Sequence, residues 1–270
     1  MQINWIGTKK KMMPQLLCQI PTNYNNYFEP FLGGGALFQT ITPPTAILND
    51  NDNNLMELWQ NMLAKSELFC NCVRKFEDTI YINKDQKTQK KTFKLFVDRF
   101  NKSNFGVFKS ALFYTLLKYA FRGIFRYRSD GTIHLSYGFK SRIKKPIIDL
   151  LELQRIKTNV KNLKLLNGDF GSVITQAQSN DFIFIDPPYY REGIKDKDFY
   201  QHPFTFEDHI RLYKYLKEAN HRNVKWLYTN YNSAKIIKLF EDFNIQTIKT
   251  TTNHALTPQR GLQEVIIKNY

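Results

Sequence analysis

Hydrophobic residues recur along the chain with two different periods, and their alternation predicts the fold class. Short apolar runs typical of buried strands begin at residue 27 and recur at 45–48, 163–166, 181–185, 224–229 and 264–268. Stretches with helical spacing lie between them, one around Leu55 and Leu63 and others over residues 149–162 and 205–219. Strands that alternate with helices in this way indicate an α/β fold with a mainly parallel sheet.

A glycine-rich stretch, FLGGG at residues 31–35, follows the first predicted strand. Three glycines allow a tight turn and a close approach of the backbone to a ligand. The pattern is not that of a dinucleotide site, because Phe38 stands where G-x-G-x-x-G needs its last glycine. Asp50 ends the next strand, where an acidic residue can accept hydrogen bonds from ribose hydroxyls. A helix cap is the alternative for Asp50, and Asp52 competes for both roles.

The sequence Asp186-Pro187-Pro188-Tyr189 follows a run of four bulky apolar residues, FIFI. The prolines end the strand, because neither can donate to the ladder, and they stiffen the turn. The carboxylate of Asp186 and the carbonyl of Pro187 become fixed acceptors, and Tyr189 becomes a fixed aromatic plate. This arrangement suits a planar ring that bears an amino group. A proline-rich loop without chemistry is the alternative.

The positive charge is regional. Residues 84–145 hold sixteen Lys or Arg and three Asp, a net +13 of the total +15. Such an excess predicts a polyanionic partner, and the interleaved aromatics favour phosphates and unstacked bases. Within this region Phe105, Phe108, Leu112, Leu116 and Tyr119 recur at helical spacing, which predicts a core face.

Residues 121–138 predict a β-hairpin, because two β-prone runs flank Ser129-Asp130-Gly131. The even spacing of Arg122, Arg126 and Arg128 predicts that they share one face of a strand. A two-stranded ribbon fits the major groove, where arginine can pair with guanine. A solvated basic hairpin is the alternative. We expect further DNA contacts from Lys140, Arg142, Lys144 and Lys145.

Other classes of protein are disfavoured by composition. The three cysteines, Cys18, Cys70 and Cys72, lack the spacing of a disulfide framework or a zinc site, so we expect no metal. No apolar run approaches the roughly 20 residues that cross a bilayer. We expect a cytoplasmic, soluble protein that does not bind membranes.

Six stretches of the chain resemble the Dam-like (D12) class of DNA adenine-N6 methyltransferases, in the order found in that family. They are NWIGTKK at 4–10, FEPFLGGGALF at 28–38, LND at 48–50, GDF at 168–170, DPPY at 186–189 and the final EVIIKNY. The resemblance implies a Rossmann-like methyltransferase domain over residues 1–60 and 150–270. It implies that residues 61–149 form an inserted target-recognition domain of helices and a β-hairpin.

The resemblance also implies a site for S-adenosylmethionine. Trp5 and Lys9 would help to hold the cofactor, residues 31–35 with Phe31, Gly33 and Gly35 would wrap its methionine part, and Asp50 would bind its ribose. Asp169 and Phe170 would border its adenine, and Asp186 would serve both the cofactor and the target.

The predicted reaction is methylation of N6 of an adenine flipped out of duplex DNA, in a restriction-modification or Dam-like system. Acceptors at Asp186 and Pro187 would favour a more pyramidal, reactive nitrogen, and Pro188 and Tyr189 would complete the catalytic turn. Tyr189 offers a stacking surface that offsets part of the cost of base flipping. We expect a monomer, with any cognate restriction endonuclease acting separately.

Three alternatives stay open on sequence alone. An RNA or protein amide methyltransferase uses a similar proline motif, commonly with Asn at its first position. A nicotinamide-dependent oxidoreductase shares the fold, and a noncatalytic DNA-binding protein shares the basic region. The hairpin departs from the common family pattern, with Arg126-Tyr127-Arg128 where Arg-Tyr-Asn is frequent, so the resemblance leaves open whether the target is GATC.

Overall fold

The computed structural model describes residues 3–82, 85–138, 147–191, 203–249 and 263–270. The strands in these residues are β1 (Tyr27–Glu29), β2 (Thr45–Asp50), β3 (Ala120–Tyr127), β4 (Ile133–Tyr137), β5 (Asn162–Asn167), β6 (Phe182–Ile185), β7 (Lys225–Tyr231), β8 (Asn244–Lys249) and β9 (Gln263–Lys268). A 3-10 turn at Lys10–Met12 precedes the α-helices. These are α1 (Met13–Leu17), α2 (Ala36–Ile41), α3 (Asn53–Ala64), α4 (Ser66–Tyr81), α5 (Gln86–Lys102), α6 (Val107–Tyr119), α7 (Leu150–Asn159), α8 (Phe170–Ile174), α9 (Phe206–His221) and α10 (Ala234–Leu239).

A mostly parallel sheet lies at the centre of the fold, as the hydrophobic pattern predicts. Over the described residues it has seven strands in the order β5-β2-β1-β6-β7-β9-β8. The first five are parallel, and β9 runs antiparallel to both of its neighbours. Strand β8 was not predicted, because its sequence NIQTIK is largely polar. Its edge position, where it pairs with β9 alone, accounts for that polarity.

The direction in which strands are added reverses between β1 and β6. Strands β2 and β5 lie on one side of β1, whereas β6 and β7 lie on the other. In open α/β sheets ligands bind outside the carboxyl ends of the strands at such a switch point. Tyr27 pairs with Phe182 and Phe28 with Ile183, so the segments that follow these strands emerge side by side.

Strand β6 is buried on both faces. Phe182 and Phe184 belong to one hydrophobic cluster, and Ile183 and Ile185 belong to a second. Because successive side chains of a strand point to opposite faces, the two clusters lie on opposite sides of the sheet. This central position explains the uninterrupted apolar run in the sequence.

Helices α4 to α6 and the β3–β4 hairpin lie outside the central sheet. Helix α6 packs against α3, α4, α5 and β3, and Leu112, Leu116 and Tyr119 are buried there. The core prediction is wrong for Phe105 and Phe108, which are 65% and 37% exposed. Phe105 precedes the helix, so helical spacing does not govern its direction, and Phe108 lies in the first turn beneath the guanidinium of Arg99.

The hairpin has the predicted turn. The amide of Gly131 donates to the carbonyl of Arg128 at 2.9 Å, and the amide of Arg128 donates to Thr132 at 2.8 Å. Across the residues that the structure covers, no helix is both long and apolar enough to span a membrane.

Asp181 joins three segments at the amino end of β6, and its removal tests how far the sheet depends on them. The buried carboxylate accepts from the Asn26 amide at 3.0 Å, from Asn26 Nδ2 at 2.8 Å and from the Gln178 amide at 2.8 Å. Asp181→Ala leaves these donors unpaired and should lower the free energy of unfolding by roughly 2–4 kcal/mol. Urea titration measures this, with exposed Asp98→Ala on α5 as the control. Equal losses in both variants would contradict the assignment.

Candidate active site

A cavity of about 290 Å³ opens at the carboxyl ends of the parallel strands. Its walls come from residues 5–9, from the glycine loop (residues 31–35), and from the segments that follow β2, β5 and β6. Its position at the reversal of strand order is that expected of a ligand site in an α/β sheet.

The glycine loop is held between two tryptophans. Gly33 and Gly35 adopt the left-handed conformation, with φ of 49° and 60°. A Cβ on Gly33 would lie 2.9 Å from Trp5, and one on Gly35 would lie 2.7 Å from Trp59. Trp59 also donates from Nε1 to the carbonyl of Gly33 at 3.1 Å. Side chains are therefore excluded at Gly33 and Gly35, and Trp5 both packs against the loop and lines the cavity.

Asp50 faces the cavity, and Asp52 takes the role of helix cap. Asp50 accepts from the Gly33 amide at 2.9 Å and from the Asp52 amide at 3.1 Å. Burial raises the pKa of Asp50 to about 7, although the backbone hydrogen bonds oppose that rise. Asp52 accepts from the Leu55 amide at the start of α3 and from the Tyr127 hydroxyl at 2.6 Å. Both residues line the cavity, but only Asp52 caps α3 and accepts from Tyr127.

Three aromatic rings form one end of the cavity. The centroid of Phe31 lies 5.2 Å from that of Phe170 and 5.5 Å from that of Phe204. Arg211 lies 4.1 Å from the centre of the Phe170 ring and forms a double contact with the carboxylate of Asp169, at 3.0 and 2.8 Å. Burial opposes ionisation of Asp169, but pairing with Arg211 outweighs it and lowers the pKa.

The carboxylate of Asp186 is held from two sides. Lys9 Nζ lies 2.7 Å from one oxygen, and Thr229 Oγ1 donates to the other at 2.7 Å. Burial raises the pKa of Asp186, and the ammonium of Lys9 works against that rise. Lys9 also donates to the carbonyl of Gly7 and lies 4.5 Å from the centre of the Tyr189 ring. The ammonium therefore lies where the cavity meets the turn at residues 186–189, which we call the DPPY turn.

The ring of Tyr189 is fixed by neighbouring strands. Its hydroxyl donates to Glu264 at 2.9 Å, and its ring meets Tyr231 edge-on with centroids 4.8 Å apart. Pro187 is buried and Pro188 is half-buried. A carboxylate and an aromatic face therefore lie side by side at the edge of the cavity.

Comparison with known proteins decides which family has this arrangement. The model of the D12 class N6 adenine-specific DNA methyltransferases matches residues 5–254. The chain belongs to this family. N6 methylation of adenine in DNA is the family activity, so the chain is a DNA adenine methyltransferase.

Individual relatives align over nearly the whole methyltransferase. The type II methyltransferase M1.LlaDCHI of Lactococcus lactis subsp. cremoris is 30% identical, over 98% of this chain and 94% of that protein. The type II methyltransferase M.MjaIII of Methanocaldococcus jannaschii is 28% identical, over 99% and 98%. The DNA adenine methylase of Vibrio cholerae is 20% identical, over 92% and 87%.

Three residues that line the methyltransferase cavity were missed by the sequence analysis. Glu29 is buried, accepts from the Tyr27 hydroxyl at 2.8 Å, and has its pKa raised well above the usual range by burial. A charged residue within the short apolar strand YFE was a usable signal. Phe204 and Arg211 gave no usable sequence signal. An aromatic residue just before a helix and an arginine on an amphipathic helix are both common and do not indicate a site.

The structure describes the predicted hairpin arginines in part. The register shifts between Ala120 and Phe125, and Gly123 has φ of 69°, so regular alternation does not connect Arg122 with Arg126. Arg128 lies beyond the end of β3, where its Nη2 is 3.2 Å from His134 Nδ1. Arg126 and Arg128 thus both neighbour His134, whereas a common face that includes Arg122 stays a prediction, because that side chain lies outside the described residues.

The remaining DNA-binding candidates divide into two groups. Arg126 is exposed and pairs across the hairpin with His134. The side chain of Arg122 lies outside the described part of the structure, as do the residues Lys140, Arg142, Lys144 and Lys145.

Proposed function

We propose that this methyltransferase transfers a methyl group from S-adenosylmethionine to N6 of an adenine flipped out of duplex DNA. The observation that carries the proposal is the position of Asp186, whose carboxylate lies at the junction between the cavity and the ring of Tyr189. The proposal includes a finer fold assignment. Residues 1–60 and 150–270 form a Rossmann-like methyltransferase domain, and residues 61–149 form an inserted recognition domain.

The cavity suits S-adenosylmethionine in shape and charge. The rings of Phe31, Phe170 and Phe204 offer apolar faces to a planar base. Asp50 offers acceptors to ribose hydroxyls, and the nearby carboxyl group of Asp186 suits a cationic sulfonium. The glycine loop leaves room for the methionine part. When bound, the cofactor supplies an activated methyl group.

The DPPY turn holds the target amino group. We assign the Asp186 carboxylate and the Pro187 carbonyl as acceptors of its two N–H bonds, with the adenine ring stacked on Tyr189. Lys9 favours the ionised form of Asp186 in the buried site, because its ammonium opposes the effect of burial on the pKa. Since the methyl group is already activated, positioning supplies most of the catalysis.

The hairpin contacts two residues that line the cavity, Trp5 and Asp52. Phe125 packs against Trp5 with centroids 4.9 Å apart, and the hydroxyl of Tyr127 bonds to Asp52. Arg126 lies between these two anchored residues and is exposed. Helix α5 adds Lys87, Lys90, Lys91 and Lys94 on its exposed side. These features support DNA recognition by residues 61–149.

The biological setting follows the family. Because two of the aligned relatives are type II methyltransferases, we assign the enzyme to a restriction-modification or Dam-like system. We expect it to act in the cytoplasm as a monomer, with any restriction endonuclease acting separately.

Asp186→Ala tests the assigned reaction. Loss of an acceptor that acts on the amino group should lower kcat at least a hundredfold, in line with other preorganised hydrogen-bonding groups. Transfer of labelled methyl to duplex DNA, with nucleoside analysis for N6-methyladenine, measures this. Exposed Asp242→Ala serves as the matched control. Turnover within a few-fold of the parent in a folded Asp186→Ala enzyme would remove Asp186 from the mechanism.

Asp50→Asn tests the cofactor site. The parent should bind S-adenosylmethionine more tightly as pH rises through about 7, where Asp50 becomes ionised. The variant keeps an acceptor for Gly33 but not the charge, so its affinity should be about tenfold lower and independent of pH in this range. Calorimetry at pH 6, 7 and 8.5 measures both effects, and DNA affinity should not change. A variant with the parent's pH dependence would show that another group binds the ribose.

Arg126→Ala tests base recognition. A bidentate arginine–guanine contact contributes roughly 1–3 kcal/mol of discrimination, so kcat/KM on the true site should fall about tenfold to a hundredfold, with smaller losses on single-base variants. Lys94→Ala, on the exposed side of α5, is the comparison for a phosphate contact and should lower all sites alike. A uniform loss in Arg126→Ala would assign Arg126 to the DNA backbone instead.

A further inference from the structure

Two consecutive polar residues of β7, Thr229 and Asn230, are fully buried beside the DPPY turn. They belong to none of the motifs that the sequence analysis identified. Burial of polar groups is unfavourable unless they are hydrogen-bonded, so their partners indicate what they do.

Thr229 contacts the start of the turn. Its hydroxyl donates to one oxygen of Asp186 at 2.7 Å, while Lys9 takes the other oxygen. Ile185 pairs with Tyr228 in the sheet, so Thr229 is the next residue of β7 beyond the last paired position. Separate donors on the two oxygens fix the plane of the carboxylate.

Asn230 contacts the end of the turn. Its Oδ1 accepts from the Tyr190 amide at 3.0 Å and from the Tyr231 amide at 2.8 Å. Its Nδ2 donates to the Tyr228 hydroxyl at 2.6 Å, which lies 3.0 Å from Nδ1 of His209. Burial lowers the pKa of His209 to about 4, so its neutral ring can accept from Tyr228 at neutral pH. The Asn230 amide is therefore fixed at both of its ends.

Between these contacts the turn contains Pro187 and Pro188, which have no N–H to donate. Because successive residues of a strand point to opposite faces, Thr229 and Asn230 reach the two ends of the turn from different sides of β7.

We propose that Thr229 and Asn230 are positioning residues. They fix the orientation of the Asp186 carboxylate and of the Tyr189 ring relative to each other and to the target base. This inference rests on the proposed function of the DPPY turn. Thr229 acts on the orientation of Asp186, and Asn230 acts on the turn that carries Tyr189.

Variants of Thr229 separate positioning from folding. Thr229→Val keeps the shape and removes the hydroxyl, whereas Thr229→Ser keeps the hydroxyl. We expect Thr229→Val to lower kcat about tenfold, with affinities for S-adenosylmethionine and DNA within twofold of the parent, and Thr229→Ser to restore most of the rate. Loss of the hydroxyl also removes a bond that favours ionised Asp186, so the acid limb of the pH–rate profile should move to higher pH.

The other charged and titratable residues around Asp186 are kept in these variants, and Tyr189 among them loses a hydrogen bond from the hydroxyl in Thr229→Val. They include Lys9, Glu29, Tyr189 and Glu264. Asn230→Ala should lower kcat without moving the acid limb, because Asn230 does not touch Asp186. This difference between neighbouring residues is not expected of a general loss of stability.

An NMR titration of the Asp186 carboxyl carbon in the ligand-free enzyme tests Thr229 without any assay of activity. It should show a higher pKa in Thr229→Val than in the parent and in Thr229→Ser. An unshifted titration, a Thr229→Val enzyme as fast as the parent, or a Thr229→Ser enzyme as slow as Thr229→Val would overturn the positioning role. If the parent itself forms no N6-methyladenine, the proposed function fails, while the titration still decides whether Thr229 sets the state of Asp186.

Discussion

The parallel pairing of β1 with β6 is the constraint on which the site depends. Side-by-side strands of the same direction end at the same edge, so the glycine loop and the DPPY turn become neighbours although about 150 residues separate them. The reversal of strand order at this point opens a crevice that neither segment would form alone. Strand β6 is held by apolar contacts on both faces, and this rigidity gives the turn after it a fixed origin.

Four of the carboxyl groups that line the cavity differ in their pairing with cations and in the direction of their pKa shifts. Asp169 is paired with Arg211 and its pKa is lowered, whereas burial raises the pKa values of Asp186, Asp50 and Glu29. Among these three, Asp186 is paired with Lys9, whose ammonium favours the ionised form in a setting that otherwise favours the neutral form. A cationic ligand would lower the pKa of Asp50 as it binds, since the charge of each then stabilises that of the other.

Much of the site was predictable because its motifs lie where parallel strands end. Asp50 and Asp186 follow strands that the apolar pattern located, and the topology of such sheets brings these ends together. Residues that reach the site only through contacts with distant parts of the chain were not predictable in this way. Phe204, Arg211 and Asn230 have ordinary local sequences, and each contacts a residue of the site that lies more than 30 positions away.

Local irregularity set a second limit on prediction. The period of two that placed the hairpin arginines on one face assumes an unbroken strand, and the shifted register around Gly123 removes that assumption. Phe105 illustrates a related case, because the helix begins only at Val107. Periodicity located these elements correctly, but it does not show where the regular geometry stops.

Trp5 touches the hairpin through Phe125 and the glycine loop through Gly33. A single indole therefore joins the hairpin proposed to face DNA to the wall of the cavity proposed to hold the cofactor. If a bound duplex displaced Phe125, the space open to Gly33 would change, and a cofactor that ordered the loop would limit where Phe125 can lie. By thermodynamic linkage such effects would be equal in free energy, so each ligand would alter the affinity for the other by the same factor.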